Sequence, residues 1–145
     1  MAYCTLSDLI KALPKERIIE LSDDSGNPTE INENNTDEAI LKASNEIDGF
    51  IRGRYTLPLD TVPAIIKDIS IDLAIYYLWI RRPERAAPEG VLRRYRDRIE
   101  RLKGIQKGIF LLEIAQIKSS SGKGEYRINK TFNDRIFAKN VLDTF

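Results

Sequence analysis

The chain contains no histidine and a single cysteine among its 145 residues. The first absence removes the side chain that most often serves as general base, nucleophile activator or metal ligand near neutral pH. The second removes an internal disulfide and every zinc site built on paired cysteines. Cys4 then reads as a small apolar residue in a reducing compartment, with no imidazole to make its thiolate reactive. Long apolar runs are also missing. Nothing approaches the ~20 residues needed to span a bilayer, and Asp8 breaks the short apolar stretch near the N-terminus, so no signal-peptide pattern is expected. No catalytic residue, metal ligand or cofactor site emerges from this inventory, and an enzyme is not expected.

Three stretches imitate chemical motifs and fail. Ser121-Gly122-Lys123-Gly124 has Gly124 where a phosphate loop needs Ser or Thr directly after its lysine. Asp23-Asp24-Ser25-Gly26-Asn27, with Glu30 and Glu33, lacks the alternating ligand positions of a calcium loop and reads as a hydrated turn. Asp68 and Asp72 share a helix face at i, i+4, yet basic residues nearby make partnering by Lys or Arg the expected role.

What is present is helical punctuation. Thr5 caps a short helix that Pro14 ends, and a second short helix spans Lys15 to Leu21. Asn35 or Thr36 is the expected cap of a longer helix whose apolar residues fall at Ile40, Ala43, Ile47, Phe50 and Ile51. Prolines 58 and 63 mark an extended link. From Ala64 to Arg82 the chain is apolar on nearly every face, which predicts a central helix buried all round. Its Ile69, Leu73, Tyr76 and Ile80 are expected against Ile40, Ile47, Phe50, Leu92, Tyr95 and Ile99. Pro88 opens a last helix and Gly108 closes it.

The fold expected is mainly α: a small helical bundle over residues 1–108, then an extended segment and tail over 109–145 with short strand segments. Ile109 to Ile114 is a short apolar run, and Glu125-Tyr126-Arg127-Ile128 alternates as a strand does. Tyr126, Ile128, Phe132, Arg135, Ile136, Phe137, Leu142 and Phe145 are the candidate partner-binding residues of this tail. They are too apolar to form a solvated linker.

The net charge of +1 conceals an asymmetry. Residues 1–60 hold 6 basic and 12 acidic side chains, a balance of −6, and residues 61–108 hold 11 and 6, a balance of +5. A polarised subunit suits head-to-tail contacts, which close into rings when the rotation permits; the alternative is that the two sets interleave and cancel within the fold. Arg81, Arg82, Arg93, Arg94, Arg98 and Arg101 are the candidate subunit-interface residues. A solvated helix face braced by i, i+4 pairs (Arg93–Asp97, Arg96–Glu100, Asp97–Arg101) and a phosphate-binding face are the competing readings.

Several of these segments together resemble a family of Mu-like bacteriophage and prophage proteins. The resemblance runs through Tyr3-Cys4-Thr5-Leu6-Ser7-Asp8-Leu9, Glu46-Ile47-Asp48-Gly49-Phe50, Arg54-Tyr55-Thr56-Leu57-Pro58-Leu59, Asp72-Leu73-Ala74-Ile75-Tyr76, Arg81-Arg82-Pro83 and Arg94-Tyr95, with a weaker echo at Arg135-Ile136-Phe137. These are packing motifs, so they carry kinship more than mechanism. The resemblance implies a structural virion protein, a head–tail connector or adaptor forming a dodecameric ring at the neck, made in the host cytoplasm. Its implied partners are the portal protein, a neck or tail-completion protein and further copies of itself. DNA would pass through without specific binding, and no membrane is involved. The alternative is a nucleic-acid-binding packaging or capsid-assembly factor acting through Arg93, Arg94, Arg98 and Arg101.

Overall fold

Thr5 starts the first helix by a reciprocal cap: its hydroxyl accepts from the Asp8 N–H, and the Asp8 carboxylate accepts from the Thr5 N–H at 3.0 Å and hydroxyl at 2.8 Å. In the computed structural model, which describes residues 1–116, this helix is α1, Leu6–Ala12. The chain then turns at Pro14 into α2, Lys15–Ser22. Three longer helices follow: α3, Glu33–Ile51; α4, Ala64–Ile80; and α5, Glu89–Lys107. Prolines 63 and 88 immediately precede α4 and α5, as their missing N–H allows, and Gly108 ends α5 with φ of 78°. The protein is mainly α. The tail residues Tyr126, Ile128, Phe132, Arg135, Ile136, Phe137, Leu142 and Phe145 lie outside the described residues.

The start of α3 differs from expectation. Asn32 is the cap, its side chain accepting from the Asn35 N–H at 3.3 Å. Asn35 is held elsewhere: its amide donates to the Ser22 carbonyl at the end of α2, at 2.6 Å. Thr36 is buried inside the helix and its hydroxyl donates back to the Glu33 carbonyl at 2.9 Å. Every residue from 32 to 36 except Glu33 has cap chemistry. The tertiary contact to Ser22 decides which one serves.

Helices α3, α4 and α5 pack against one another, α1 packs on α4 and α2, and α2 also touches α3 and α4. The side-chain pairs Asp72–Arg98 and Tyr76–Tyr95 show α4 and α5 running antiparallel. Ile66, Ile69, Leu73 and Leu78 of α4 are buried with Ile40, Ala43, Ile47 and Ile51 of α3 and Leu102 and Ile105 of α5. The expected core pairing holds at Ile69, Leu73, Ile40 and Ile47, while Phe50, Tyr76, Leu92, Tyr95 and Ile99 are half-buried. Ile80 is not in the core: it is 40% exposed. Two residues advance a helix by about 200°, so Ile80 points away from the side on which Leu78 is buried. An apolar composition all round α4 therefore does not mean burial all round.

Polar groups tie the small helices to the core. The Ser70 hydroxyl donates to the Cys4 sulfur at 3.2 Å, and burial pushes that thiol up. The Tyr3 N–H donates to Ser44, and its phenol donates to Asp48. Cys4 is thus a buried structural residue.

Candidate functional site

Among the described residues, the most exposed apolar surface lies just after α5. Gly108 adopts the left-handed conformation, and the Gly104 carbonyl accepts from the Ile109 N–H at 2.9 Å and the Phe110 N–H at 3.3 Å. This satisfies the last helical carbonyls and reverses the chain. The Phe110 ring then lies against α5 where Gly104 has no side chain; a Cβ there would stand 2.5 Å from the ring. The Arg101 guanidinium sits over the ring, 5.4 Å from its centre.

Two residues from the α3–α4 connection lock this turn. Arg54 donates from Nε to the Gln106 carbonyl at 2.7 Å and rests its guanidinium against Gly108. Tyr55 is 1% exposed, and its hydroxyl accepts from the Leu112 N–H at 2.9 Å. Tyr55 also forms an isolated antiparallel bridge with Gln116. Leu112 is buried in the core cluster. Ile109, Phe110 and Leu111 are consequently held out as a ridge, exposed by 69%, 48% and 64%. The ridge borders an open groove of about 610 Å³ lined by Ile65, Ile105, Phe110, Leu111, Leu112 and Ile114, among others.

The six candidate arginines fall into two groups. Arg81 and Arg82 both pair with Asp24 in the α2–α3 connection. Arg81 also donates to the Leu21 carbonyl at 2.9 Å and the Ser22 carbonyl at 3.3 Å. Arg98 donates to Asp72 at 2.7 Å, with Arg94 3.8 Å from the other carboxylate oxygen. Arg94, Arg98 and Arg101 line a second open cavity with Asp72 and Asp97, and Arg93 is exposed beside them on α5. The carboxylate of Asp72 is thus partnered by basic side chains, though from α5 and not from its own sequence neighbours. The three expected i, i+4 pairs do not form; the charges on α5 use Glu89–Arg96 and Glu100–Lys103 instead.

Charge pairing also crosses the halves of the chain. Lys67 binds Asp8 at 2.8 Å, and with Thr5 it holds that carboxyl at about 2. Arg81, then Arg82, holds the Asp24 carboxyl far below the usual carboxylate range. Part of the acidic N-terminal half is therefore neutralised within one molecule, which is the interleaved alternative. The aromatic residues behave as packing residues with wet edges. Tyr76 stacks on Tyr95 at 3.8 Å, while the Tyr77 and Tyr95 hydroxyls donate to Glu46 at 2.7 and 3.0 Å. Burial, and behind it the Glu46 carboxylate, pushes the Tyr95 phenol up to about 12 and raises that of Tyr77.

None of these arrangements brings together a nucleophile and a base. The sequence pattern that carries them is matched, over residues 3–129, by the family model described as Bacteriophage Mu, Gp36. The chain belongs to this family. It is 24% identical to "Gene product J" of Escherichia phage Mu over 139 residues, covering 96% of each chain. It is also 33% identical to the Mu-like prophage FluMu protein gp36 of Haemophilus influenzae over 85 residues, which is 59% of this chain and 57% of that one. The expected Mu-like phage kinship is therefore established. Among the described residues, no helix is long and apolar enough to cross a membrane.

The sequence discloses only half of the ridge. Ile109 to Ile114 stands out as an apolar run, but nothing local marks Arg54 and Tyr55 as its anchors. The one local signal is Gly104 four residues before Gly108, a small residue on the helix face beside its C-terminal turn.

Proposed function

We propose that this phage protein is a structural virion component, a head–tail connector that forms a ring between the portal and the lower neck or tail and lets DNA pass. The observation that carries the reading is the Ile109–Leu111 ridge: three exposed apolar side chains held rigidly by Gly108, Arg54 and Tyr55, with no reactive group beside them. A contiguous apolar patch on a small protein marks an interaction surface. Exposed Arg93 and Arg94 supply a charged rim for subunit contacts, and the apolar residues between Tyr126 and Phe145 supply a grip on the portal or on the next copy.

The test is assembly in the virion. Phage carrying Ile109→Asp and Leu111→Asp should yield separate heads and tails by electron microscopy, while the purified variant retains a wild-type circular dichroism spectrum. Joined, infectious particles from that variant would sink the reading. Arg93→Glu with Arg94→Glu probes the charged rim and avoids Arg98, whose loss would strand Asp72. If the purified protein instead binds duplex DNA with a steep salt dependence that this pair abolishes, the packaging-factor alternative is correct.

A further inference from the structure

We infer that the groove beside the ridge seats a second copy of this chain, which presents the outer face of its α3: Leu41 against Phe110 and Leu111, and Asp37 and Glu38 against Arg94 and Arg101. This rests on the connector reading and deepens it by naming both faces of the subunit contact. The receiving face is one continuous surface. Arg101 lines the apolar groove of about 610 Å³ and also the charged cavity of Arg94, Arg98, Asp72 and Asp97. Among the described residues, Arg93 and Arg101 form no ion pair, and Arg94 forms only one of 3.8 Å, to a carboxylate that Arg98 already holds. With exposed Arg93 beside the cavity, four arginines meet two carboxylates, a balance of +2. Glu100, at the border, is taken by Lys103.

Charge complementarity selects the occupant. Pairing within the molecule takes up Asp8 and Asp24, yet Glu33 and Asp37 have no ion pair among the described residues. Both are exposed on α3 beside Glu38, which pairs with Lys42 on the same face. Three carboxylates against one lysine leave that face at −2. Leu41, 52% exposed, is the apolar side chain among them. It follows Asp37 by four residues, so the two stand about 6 Å apart on the helix surface. On the receiving side, the Arg101 guanidinium stands 5.4 Å from the centre of the Phe110 ring. An acid and an apolar side chain thus meet a base and an apolar ring at matching spacing. The two faces cannot meet within one chain, because α3 turns Ala39, Ile40 and Ala43 to the core and Leu41 outward. Since the faces differ, each contact leaves one of each kind open. Copies then add head to tail until the rotation closes a ring.

The test uses sedimentation of the full-length purified protein. It should self-associate as its concentration rises toward about millimolar. Raising salt from about 0.1 to 1 M shortens the Debye length from about 10 to 3 Å and should weaken that association. Asp37→Arg with Glu38→Arg, or Arg94→Glu with Arg101→Glu, should each weaken it at least about tenfold, with the circular dichroism spectrum unchanged. All four substitutions together should restore it, since the swapped faces are again complementary and the net charge is again that of the wild type. A four-substitution variant as monomeric as either pair overturns the inference. Oxidation of a variant with Leu41→Cys and Leu111→Cys gives a second measurement that does not need the charge variants to fold; Cys4 is buried and stays silent. This variant should yield a ladder of covalently linked copies, and neither substitution alone should yield dimers. Dimers from Leu111→Cys alone would overturn the inference, because ridge would then meet ridge. A wild-type chain that stays monomeric at about millimolar concentration overturns it too. The groove would then serve a different protein, and the connector reading, decided on particles, would still stand.

Discussion

The C-terminal ends of α4 and α5 solve the same problem with opposite results. Each helix leaves carbonyls and a reversing chain, and at each an arginine fastens one segment to the carbonyls of another. After α4, Arg81 reaches Leu21, Ser22 and Asp24, Arg82 joins at Asp24, and Arg85 donates to the Glu20 carbonyl at 2.7 Å. The result is a polar corner whose charges are mostly spent internally. After α5, Arg54 reaches Gln106, but Ile109, Phe110 and Leu111 beyond it are apolar and face outward. The first end closes the fold; the second shows a surface. A cationic residue on a helix end is thus a fastening device, and function must be sought in the segment that the fastening holds up.

The largest expected effect lies between the two ends, in the core they share. Leu73 is fully buried, so Leu73→Ala should destabilise the protein by about 2–5 kcal/mol in denaturant unfolding. A change under about 0.5 kcal/mol, the range of surface substitutions, would show that α4 is not the common support.

Next come the fastenings themselves. Arg81→Ala should cost about 1–3 kcal/mol, because Leu21, Ser22 and Asp24 lose a donor together. Among the described residues the buried Arg81 Nε has no hydrogen-bond partner, which tempers the loss. At the other end, Tyr55→Phe strands the buried Leu112 N–H and should cost a comparable ~1–3 kcal/mol. If Arg81→Ala is silent while Tyr55→Phe is costly, the polar corner is ornamental and the comparison fails on that side. Hydrogen exchange sharpens the test: Tyr55→Phe should accelerate exchange at Ile109–Leu112 and leave α2 unchanged.

Acid separates the ends as well. The Asp8 carboxyl, at about 2 when folded, and that of Asp24, lower still, both lie below their unfolded values near 3.9. Their stabilisation is complete above pH ~4 and is lost as the pH falls toward 2. At the ridge end the lowered carboxyl is that of Glu100, held by Lys103 in an exposed pair that solvent screens. Thiol or exchange probes should therefore show the α2–α4 corner loosening before the Gly108 turn as pH drops from 4 to 2. Lys67→Met should flatten the acid dependence of the unfolding midpoint by releasing the carboxyl of Asp8.

How far the sequence discloses this arrangement depends on the range of each interaction. Thr5, Pro14, Pro63, Pro88 and Gly108 act on their own few residues, and the helix ends they mark are observed. The cap of α3 is misplaced because Asn35 is taken by a carbonyl at Ser22, a contact 13 residues away. Ile80 is misplaced because composition does not say which side of α4 its neighbours cover. The Arg96–Glu100 pair on α5 is misplaced because Arg96 reaches Glu89 and Glu100 takes Lys103, alternatives on the same helix that spacing alone does not rank. The ridge is legible as an apolar run and illegible as a presented surface, since Arg54 and Tyr55 meet it 52 and 57 residues away. Family membership, carried by short ordered motifs, is fully legible.

The smallest effect on stability is expected where the effect on function should be greatest. Ile109 and Leu111 are more than half exposed and lie outside the core cluster. Replacing both with serine removes little buried area, so the unfolding free energy should move by no more than about 0.5 kcal/mol. The neighbouring side chain behaves differently. Phe110 covers Gly104 and is covered by Arg101, so Phe110→Ala should destabilise the turn measurably. A serine pair that unfolds the protein would mean the ridge is a fastening like Arg81, a part of the core with its outer edge showing. A serine pair that folds normally yet fails to join heads to tails would mean that these side chains serve a partner. That dissociation between stability and assembly, read from one denaturant curve and one set of micrographs, separates a surface that the fold needs from one that the fold displays.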